Sequence, residues 1–359
     1  MKIFRNYSLT KLNTFGISVR AKLFVEIISE KELPELFKTA QFKNNQKIFL
    51  GGGSNVLFAK DFNGMVVLNK LKGIEEITRV TLVKPEKDEV FVRAFGGELW
   101  SDLVNFSVNR GYWGIENLAL IPGTVGAAPM QNIGAYGAEL KDTLFNVEAF
   151  DLGTGKKKIF TKEECALGYR DSVFKNKLKG KYFISAVILR LSKTPKPNVT
   201  YKILADYLAA NKIAAKTSKD IASAVANIRR SKLPDPKILG NAGSFFKNVL
   251  VPLPKLGELL QAYPNLPYFE EQDATSPPAP LPAPERGEIQ YKIPAGWLIE
   301  QCDWKGKRIG NVGVHNKQAL VIVNYGGATG KEILDLANKI IASVKNKFGL
   351  ELAPEVNIV

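Results

Sequence analysis

The chain has 359 residues, 45% of them hydrophobic and 24% charged, with a formal net charge of +15 and two cysteines. That is a globular composition long enough for two or three domains; it holds no apolar run of about 18 residues that would cross a membrane. Cys165 and Cys302 are too few and too far apart for a disulfide framework, which fits unpaired thiols in a reducing cytoplasm.

The first residues, Met1-Lys2-Ile3-Phe4-Arg5-Asn6-Tyr7-Ser8, lack the long apolar region of a secretory signal. Ser29-Glu30-Lys31-Glu32 has capping-box spacing and precedes the stripe Leu33, Leu36, Phe37 and Ala40, with Pro34 in the first turn; together they predict a helix capped by Ser29. Lys47 to Leu50 predicts a short strand that runs into the loop Gly51-Gly52-Gly53-Ser54-Asn55. Met65 to Leu68 and Glu89 to Ala94 predict further strands. Leu99, Leu103 and Phe106, with a stop at Gly111, outline a helix.

The segment from Ile115 to Gly137 packs Gly, Ala and Pro together with almost no formal charge. Its bare N–H groups and small side chains suit a phosphate or the edge of a flat ring, and they equally suit a tight buried turn. Residues 145–192 read as mostly β, with a hairpin turn at Asp151-Leu152-Gly153-Thr154-Gly155 and an apolar strand from Tyr182 to Leu191. Ser218 is placed to cap a helix whose buried stripe is Ile221, Ala224, Val225 and Ile228. Arg229, Arg230 and Lys232 suit the negative end of its dipole, and Pro234 and Pro236 end it.

Residues 273–288 contain five prolines and read as a surface loop or linker. Ile333, Leu336, Ala337, Ile340, Val344 and Phe348 predict a long amphipathic helix stopped by Gly349, and Val356 to Val359 predicts a strand that closes a sheet. Helices and strands mix without regular βαβ alternation, so the fold class is α+β.

Several familiar chemistries are excluded. The dinucleotide fingerprint fails because Val56 stands where a third glycine belongs, and the phosphate loop fails around Gly330-Lys331. His315 is the one histidine, which argues against a histidine-built metal site or a Ser-His-Asp triad; no metal is expected. The positive charge comes without zinc spacing, heptads or an aromatic-basic signature, so it reads as a solvated surface rather than a nucleic-acid site.

Three polar clusters remain. Arg170, in Gly168-Tyr169-Arg170-Asp171-Ser172, can fork onto a carboxylate or phosphate, or simply pair with Asp171. Ser244, in Gly240-Asn241-Ala242-Gly243-Ser244-Phe245-Phe246-Lys247-Asn248, is a weak acid that needs a strongly basic acceptor to give up a proton; the bland alternative is a Gly-Ser turn. Glu355 sits in an otherwise apolar terminus, where burial would raise its pKa and make it a donor, unless it faces solvent from a strand.

Read in order, the segments Asn13-Thr14-Phe15-Gly16, 50–55, 121–128, 131–137, 169–172, 240–248, 294–299 and Pro354-Glu355-Val356 resemble the MurB family of flavin-dependent reductases of peptidoglycan synthesis. The resemblance spans nearly the whole chain. It implies non-covalent FAD in a fold of the vanillyl-alcohol-oxidase type; neither the 51–55 nor the 121–137 loop offers a His or Cys for covalent attachment. The implied organisation is residues 1–70 and 71–232 as two FAD-binding subdomains, with a Tyr-containing substrate loop at 195–232. A smaller α+β substrate domain at 233–348 and a terminal segment 349–359 returning to the active site complete it.

The implied reaction uses NADPH as co-substrate and reduces the enolpyruvyl ether of UDP-N-acetylglucosamine enolpyruvate to UDP-N-acetylmuramate. Hydride passes from NADPH to FAD and then to substrate C3. Arg170 and Glu355 are implied to polarise the carboxylate and Ser244 to protonate C2, with Glu355 protonated or paired with Arg170. The implied cofactor contacts are Gly51, Gly52, Gly53, Ser54, Asn55, Pro122, Gly123, Thr124, Gly126, Ala127, Gln131, Asn132, Gly134, Ala135 and Tyr136. Tyr201, Lys232, Asn248 and Gln318 are implied for the UDP-substrate, with Tyr201 and Lys232 near its diphosphate. The expected enzyme is a cytoplasmic monomer serving cell-wall biogenesis, and through it cell shape and division. The alternatives are a related flavin oxidase and a basic binding protein without catalysis.

Overall fold

The computed structural model describes residues 1–80, 83–271 and 289–359. The proline-rich stretch expected as a loop at 273–288 lies outside them. The chain divides into two compact units: Met1–Tyr7, Ala21–Gly52 and Asn63–Ser231 form the first, and Ser8–Arg20, Gly53–Phe62 and Lys232–Val359 the second.

The first unit holds two sheets. One has the order Ile3–Ser8, Arg20–Ile27, Phe62–Asn69, Lys47–Leu50, and its last pair is parallel, with Lys47 opposite Met65 and Leu50 opposite Leu68. The other is antiparallel, in the order Lys157–Thr161, Leu144–Asp151, Tyr182–Ser192, Glu89–Phe95, Ile74–Ile77. Side chains alternate across a strand, and here the alternation divides two cores. Val90, Val92 and Ala94 join Val187, Leu189 and Leu191 in one cluster, while Phe91 and Ile188 point into another.

The first cluster is covered by the helices Trp100–Asn109, Lys202–Ala210 and Ser218–Lys232 through Leu103, Val104, Leu204, Ile221, Val225 and Ile228. Phe150 and Phe183 pack instead with Val25, Met65 and Val67 of the smaller sheet, under Leu33, Leu36 and Phe37.

Two helix ends differ from the sequence reading. The stripe from Leu33 to Ala40 breaks into helices Leu33–Lys38 and Ala40–Lys43, because extended Thr39 donates its hydroxyl to the Leu36 carbonyl and accepts the Phe42 N–H. At the second site Ser218 is not the cap. Thr217 and Asp220 exchange reciprocal hydrogen bonds, and the Ser218 hydroxyl is buried. The capping box at Ser29 and Glu32 forms as read, on a short 3-10 turn.

The second unit contains an antiparallel sheet in the order Gly240–Ser244, Val321–Asn324, Val312–Val314, Arg308–Ile309. A three-stranded sheet joins Val249–Pro252, Gln290–Ile293 and Phe269–Glu271. The long helix Gly330–Phe348 buries the expected stripe and ends at Gly349. The last strand, Asn357–Ile358, pairs in parallel with Val56–Leu57. Among the described residues no helix is long and apolar enough to cross a membrane, and no cluster of three His, Cys, Asp or Glu could hold a metal.

Candidate functional site

In the first unit the two glycine-rich loops meet. A Cβ at residue 51 would overlap the Thr124 hydroxyl, and one at residue 52 would stand 3.1 Å from the Gly123 Cα. Gly126 faces Gly96 just as closely, 3.0 Å from a Cβ placed there to the Gly96 Cα. Main chain therefore packs on main chain. The Thr124 hydroxyl is buried in this cradle without a hydrogen-bond partner among the described residues, a costly state unless something in the site satisfies it.

The backbone is strained at three points of the second loop and at Arg170. Leu120, Asn132, Tyr136 and Arg170 all have φ between 44° and 58°, a region that non-glycine residues seldom occupy. The surroundings hold them there. Arg170 Nη2 donates to the Gly134 carbonyl at 2.7 Å, and the Ser172 hydroxyl donates to the Met130 carbonyl at 2.8 Å.

Asn132 is fully buried. Its amide donates to Glu139 and to the Gly168 carbonyl, and its oxygen accepts the Lys141 N–H. The Asn132 side chain is thus committed to the scaffold, and its carbonyl accepts from Arg170 Nη1 at 3.5 Å. Tyr136 meets Tyr201 edge to face, with ring centroids 5.6 Å apart. Burial raises the Tyr136 phenol, with nearby Arg229 acting in the opposite sense.

Arg229 is a residue that the sequence reading gave to the helix dipole alone. Its Nε donates to the Leu120 carbonyl at 3.3 Å. Burial lowers its guanidinium, Tyr136 opposes that, and the like charge of Arg170 adds to it. A guanidinium remains charged throughout, so Arg229 near Tyr136 and Arg170 near Arg229 form a pair of cations, a field suited to a polyanion.

The second unit assembles the other group of residues. Asn241 is buried; its side-chain oxygen accepts the Gly243 N–H at 3.0 Å and its amide donates to the Leu239 carbonyl at 2.8 Å. Gly243 takes φ +70°, the strand bulges, and Ser244 lands opposite Val321. From the other side, the terminal segment pairs with the residues that follow: Glu355 N donates to the Phe245 carbonyl at 2.8 Å, and Lys247 N to the Ala353 carbonyl at 2.9 Å. Ser244 and Glu355 are therefore carried on paired backbone.

The remaining segment of the first loop joins them. Asn55 Nδ2 donates to the Glu355 carbonyl, and Asn55 O accepts from both Asn357 N and Asn357 Nδ2. Thr14 holds Gly53 by two hydrogen bonds to its carbonyl, which explains the Asn13-Thr14-Phe15-Gly16 motif as scaffold. Asn248 accepts the Ala295 N–H at 3.1 Å, and Gln318 Oε1 lies 3.7 Å from where a Cβ on Gly296 would be, so both sit at the first turn of helix Ala295–Glu300. Lys232 is the last residue of helix Ser218–Lys232. Cys165 is buried and its thiol is pushed up to about 12 by burial, so it is inert.

Residues 21–159 match the model of an FAD binding domain, and residues 235–359 match the C-terminal domain of UDP-N-acetylenolpyruvoylglucosamine reductase. The UDP-N-acetylenolpyruvoylglucosamine reductase of Flavobacterium johnsoniae is 43% identical over 360 residues, covering 100% of both chains. That of Amoebophilus asiaticus is 44% identical over 359 residues, again covering 100% of both. The chain belongs to the UDP-N-acetylenolpyruvoylglucosamine reductase family.

Membership makes it an FAD-dependent UDP-N-acetylmuramate dehydrogenase of peptidoglycan precursor synthesis, as the ordered motifs implied, and displaces the oxidase and binding-protein alternatives. The expected FAD-binding fold with a separate C-terminal domain agrees with the two domain matches. A solved reductase from Thermus caldophilus shares that fold, with a TM-score of 0.63 at 21% identity over 100% of this chain and 99% of that one. A solvent-stable cholesterol oxidase shares it more distantly, with a TM-score of 0.50 at 11% identity over 99% of this chain and 86% of that one. The cradle fits a flavin nucleotide on its own terms, because it combines bare main chain, excluded Cβ atoms and a buried hydroxyl in want of a partner.

Proposed function

We propose that Ser244, Arg170 and Glu355 carry the reduction of the enolpyruvyl ether of UDP-N-acetylglucosamine to its lactyl ether. The observation that carries this reading is the hydrogen bond from Glu355 N to the Phe245 carbonyl, which holds a hydroxyl-bearing and a carboxylate-bearing residue on paired segments. Bound FAD supplies a two-electron carrier that accepts hydride from NADPH and delivers it to substrate C3. Gly51, Gly52, Gly53, Ser54, Asn55, Pro122, Gly123, Thr124, Gly126, Ala127, Gln131, Gly134, Ala135 and Tyr136 hold the cofactor, together with the main chain of Asn132.

Hydride addition at C3 leaves negative charge on C2 and the adjoining carboxylate. The Arg170 cation offsets that charge. Glu355, on the terminal segment, steadies the same carboxylate. Ser244 then gives its proton to C2, a carbanion equivalent basic enough to accept it from an alcohol, and regains one from water. Tyr201, Lys232, Asn248 and Gln318 bind the nucleotide part of the substrate. Residues 1–70 and 71–232 serve as the FAD subdomains, with 195–232 over the substrate, while 233–348 form the substrate domain and 349–359 present Glu355. The enzyme works as a monomer in the cytoplasm and requires neither metal nor nucleic acid.

Anaerobic reduction by NADPH followed by addition of the enolpyruvyl substrate tests this. The visible flavin band should bleach on the first addition and return on the second. A flavin that NADPH bleaches and the substrate leaves reduced would overturn the reading.

A further inference from the structure

We propose that Asn117 is a positioning residue, a clasp that sets the segment carrying Tyr201 against the turn carrying Tyr136 and so prepares the substrate side of the site. The proposal rests on the reading of Tyr201 as a substrate-binding residue. Asn117 lies in the 3-10 turn Glu116–Leu118 and is 2% exposed. One amide nitrogen joins two distant stretches of chain: Nδ2 donates to the Tyr136 carbonyl and to the Asn198 carbonyl, each at 2.8 Å. Both donors of the amide are used.

Asn198 answers from the other side, with its own Nδ2 donating to the Gly137 carbonyl at 2.8 Å and its oxygen accepting the Thr200 hydroxyl at 2.9 Å. Gly137 takes φ +82° here, a backbone conformation that glycine adopts without strain. Tyr201 follows directly and meets Tyr136 edge to face.

The clasp is anchored to the scaffold. The Glu116 carboxylate accepts the Gly114 N–H at 2.6 Å, and Trp100 Nε1 donates to the Leu118 carbonyl at 3.0 Å, so the turn is fixed to helix Trp100–Asn109. Tyr201 itself is 44% exposed. The strained turn at Tyr136 and the exposed ring at Tyr201 both need an external tie, and Asn117 supplies it to both. A side chain that orders a binding segment in advance strengthens binding by lowering the ordering cost, without contacting the ligand.

The test is a double-mutant cycle on the holoenzyme, with calorimetric binding of the enolpyruvyl UDP-substrate to the oxidised form and steady-state kinetics. Asn117→Ala should weaken binding about tenfold, the loss of two hydrogen bonds, and raise KM with kcat largely kept. Tyr201→Ala should also weaken binding, and the double variant should be no weaker than the weaker single one.

Full affinity in Tyr201→Ala removes the underlying reading and the proposal with it. Weak binding in Tyr201→Ala beside full affinity in Asn117→Ala overturns the clasp alone. So do losses that multiply in the double variant, or a fall in kcat at unchanged KM. If Asn117→Ala fails to hold FAD, Asn198→Ala opens the same clasp from its less buried side and is judged by the same cycle.

Discussion

A side chain on residue 51 and the Thr124 hydroxyl where it now lies compete for one place: a Cβ at Gly51 would overlap the Thr124 Oγ1, and that oxygen is buried with no hydrogen-bond partner among the described residues. The hydroxyl costs the protein desolvation and returns nothing to the fold. Thr124→Val keeps the shape and removes the oxygen, so the apoprotein should melt at an unchanged or slightly higher temperature. Flavin affinity should fall about three- to tenfold, the worth of one hydrogen bond. Gly51→Ala should lose flavin more severely, because the added methyl drives the Thr124 side chain out of its place in the cradle. Titration of each apoprotein with FAD measures both effects.

A different expectation concerns acid. Burial alone pushes the Glu148 carboxyl up, but hydrogen bonds and charge from Arg93 and Lys157 outweigh it and hold the group below the usual carboxylate range. Glu148 Oε2 lies 2.8 Å from Arg93 Nη2 and 2.6 Å from Lys157 Nζ. Because the folded-state pKa is the lower one, this carboxylate contributes stability above the ordinary carboxylate pKa and loses it as pH falls toward its folded value. Melting temperature should therefore drop below about pH 4. Glu148→Gln should shrink that acid limb and destabilise by about 3 kcal/mol at neutral pH, since it leaves Arg93 without its main partner. Thermal melts from pH 3 to 8 compare the two proteins.

The sequence made the regular elements readable wherever the apolar period was clean. The stripe from Ile333 to Phe348 and the run from Tyr182 to Leu191 form as helix and strand because burial alone determines them. Where short polar side chains compete for the backbone the reading slips: Thr39 splits one helix and Thr217 takes the cap from Ser218. The residues proposed for the chemistry, Arg170, Ser244 and Glu355, stand in distinctive local strings. The residues that order the loops at Leu120, Tyr136 and Tyr201 and the turn before Ser244 do not. Asn117, Asn198, Asn241 and Arg229 act through main-chain carbonyls, N–H groups and charges contributed by remote segments, and no local spacing announces such partners.

The proton donor can be separated from the rest of the chemistry by taking the two half-reactions apart. Ser244→Ala should accept hydride from NADPH at close to the normal rate, because no proton need reach C2 at that stage. Turnover of the enolpyruvyl substrate should fall by a hundredfold or more, the usual scale of a positioned acid. Stopped-flow traces of each half-reaction make the comparison. Equal slowing of both would assign Ser244 to the scaffold of the bulge at Gly243 rather than to proton transfer.

Gly330 offers a case in which helix propensity predicts the wrong sign. It opens helix Gly330–Phe348, where alanine would ordinarily gain about 1 kcal/mol over glycine. A Cβ there, however, would overlap the Phe58 carbonyl and stand 2.7 Å from the Ala59 Cα, both main chain and unable to step aside cheaply. Overpacking of this kind costs about 1–3 kcal/mol, so Gly330→Ala should lower the melting temperature. The strain should also reach the segment that carries Glu355, proposed for catalysis. Ala59 N donates to the Val359 carbonyl at 2.8 Å and Val359 N to the Leu57 carbonyl at 2.9 Å, on the short parallel pair that begins two residues after Glu355. A fall in kcat should therefore accompany the loss of stability. Thr329→Ala is the matched control: it removes the hydroxyl that accepts the Glu332 N–H at 3.2 Å, at a cost of about 1 kcal/mol, and leaves Phe58 where it is. Its kcat should stay normal, and a parallel loss of activity in both variants would trace the Gly330→Ala defect to helix fraying instead of to the strand beside Glu355.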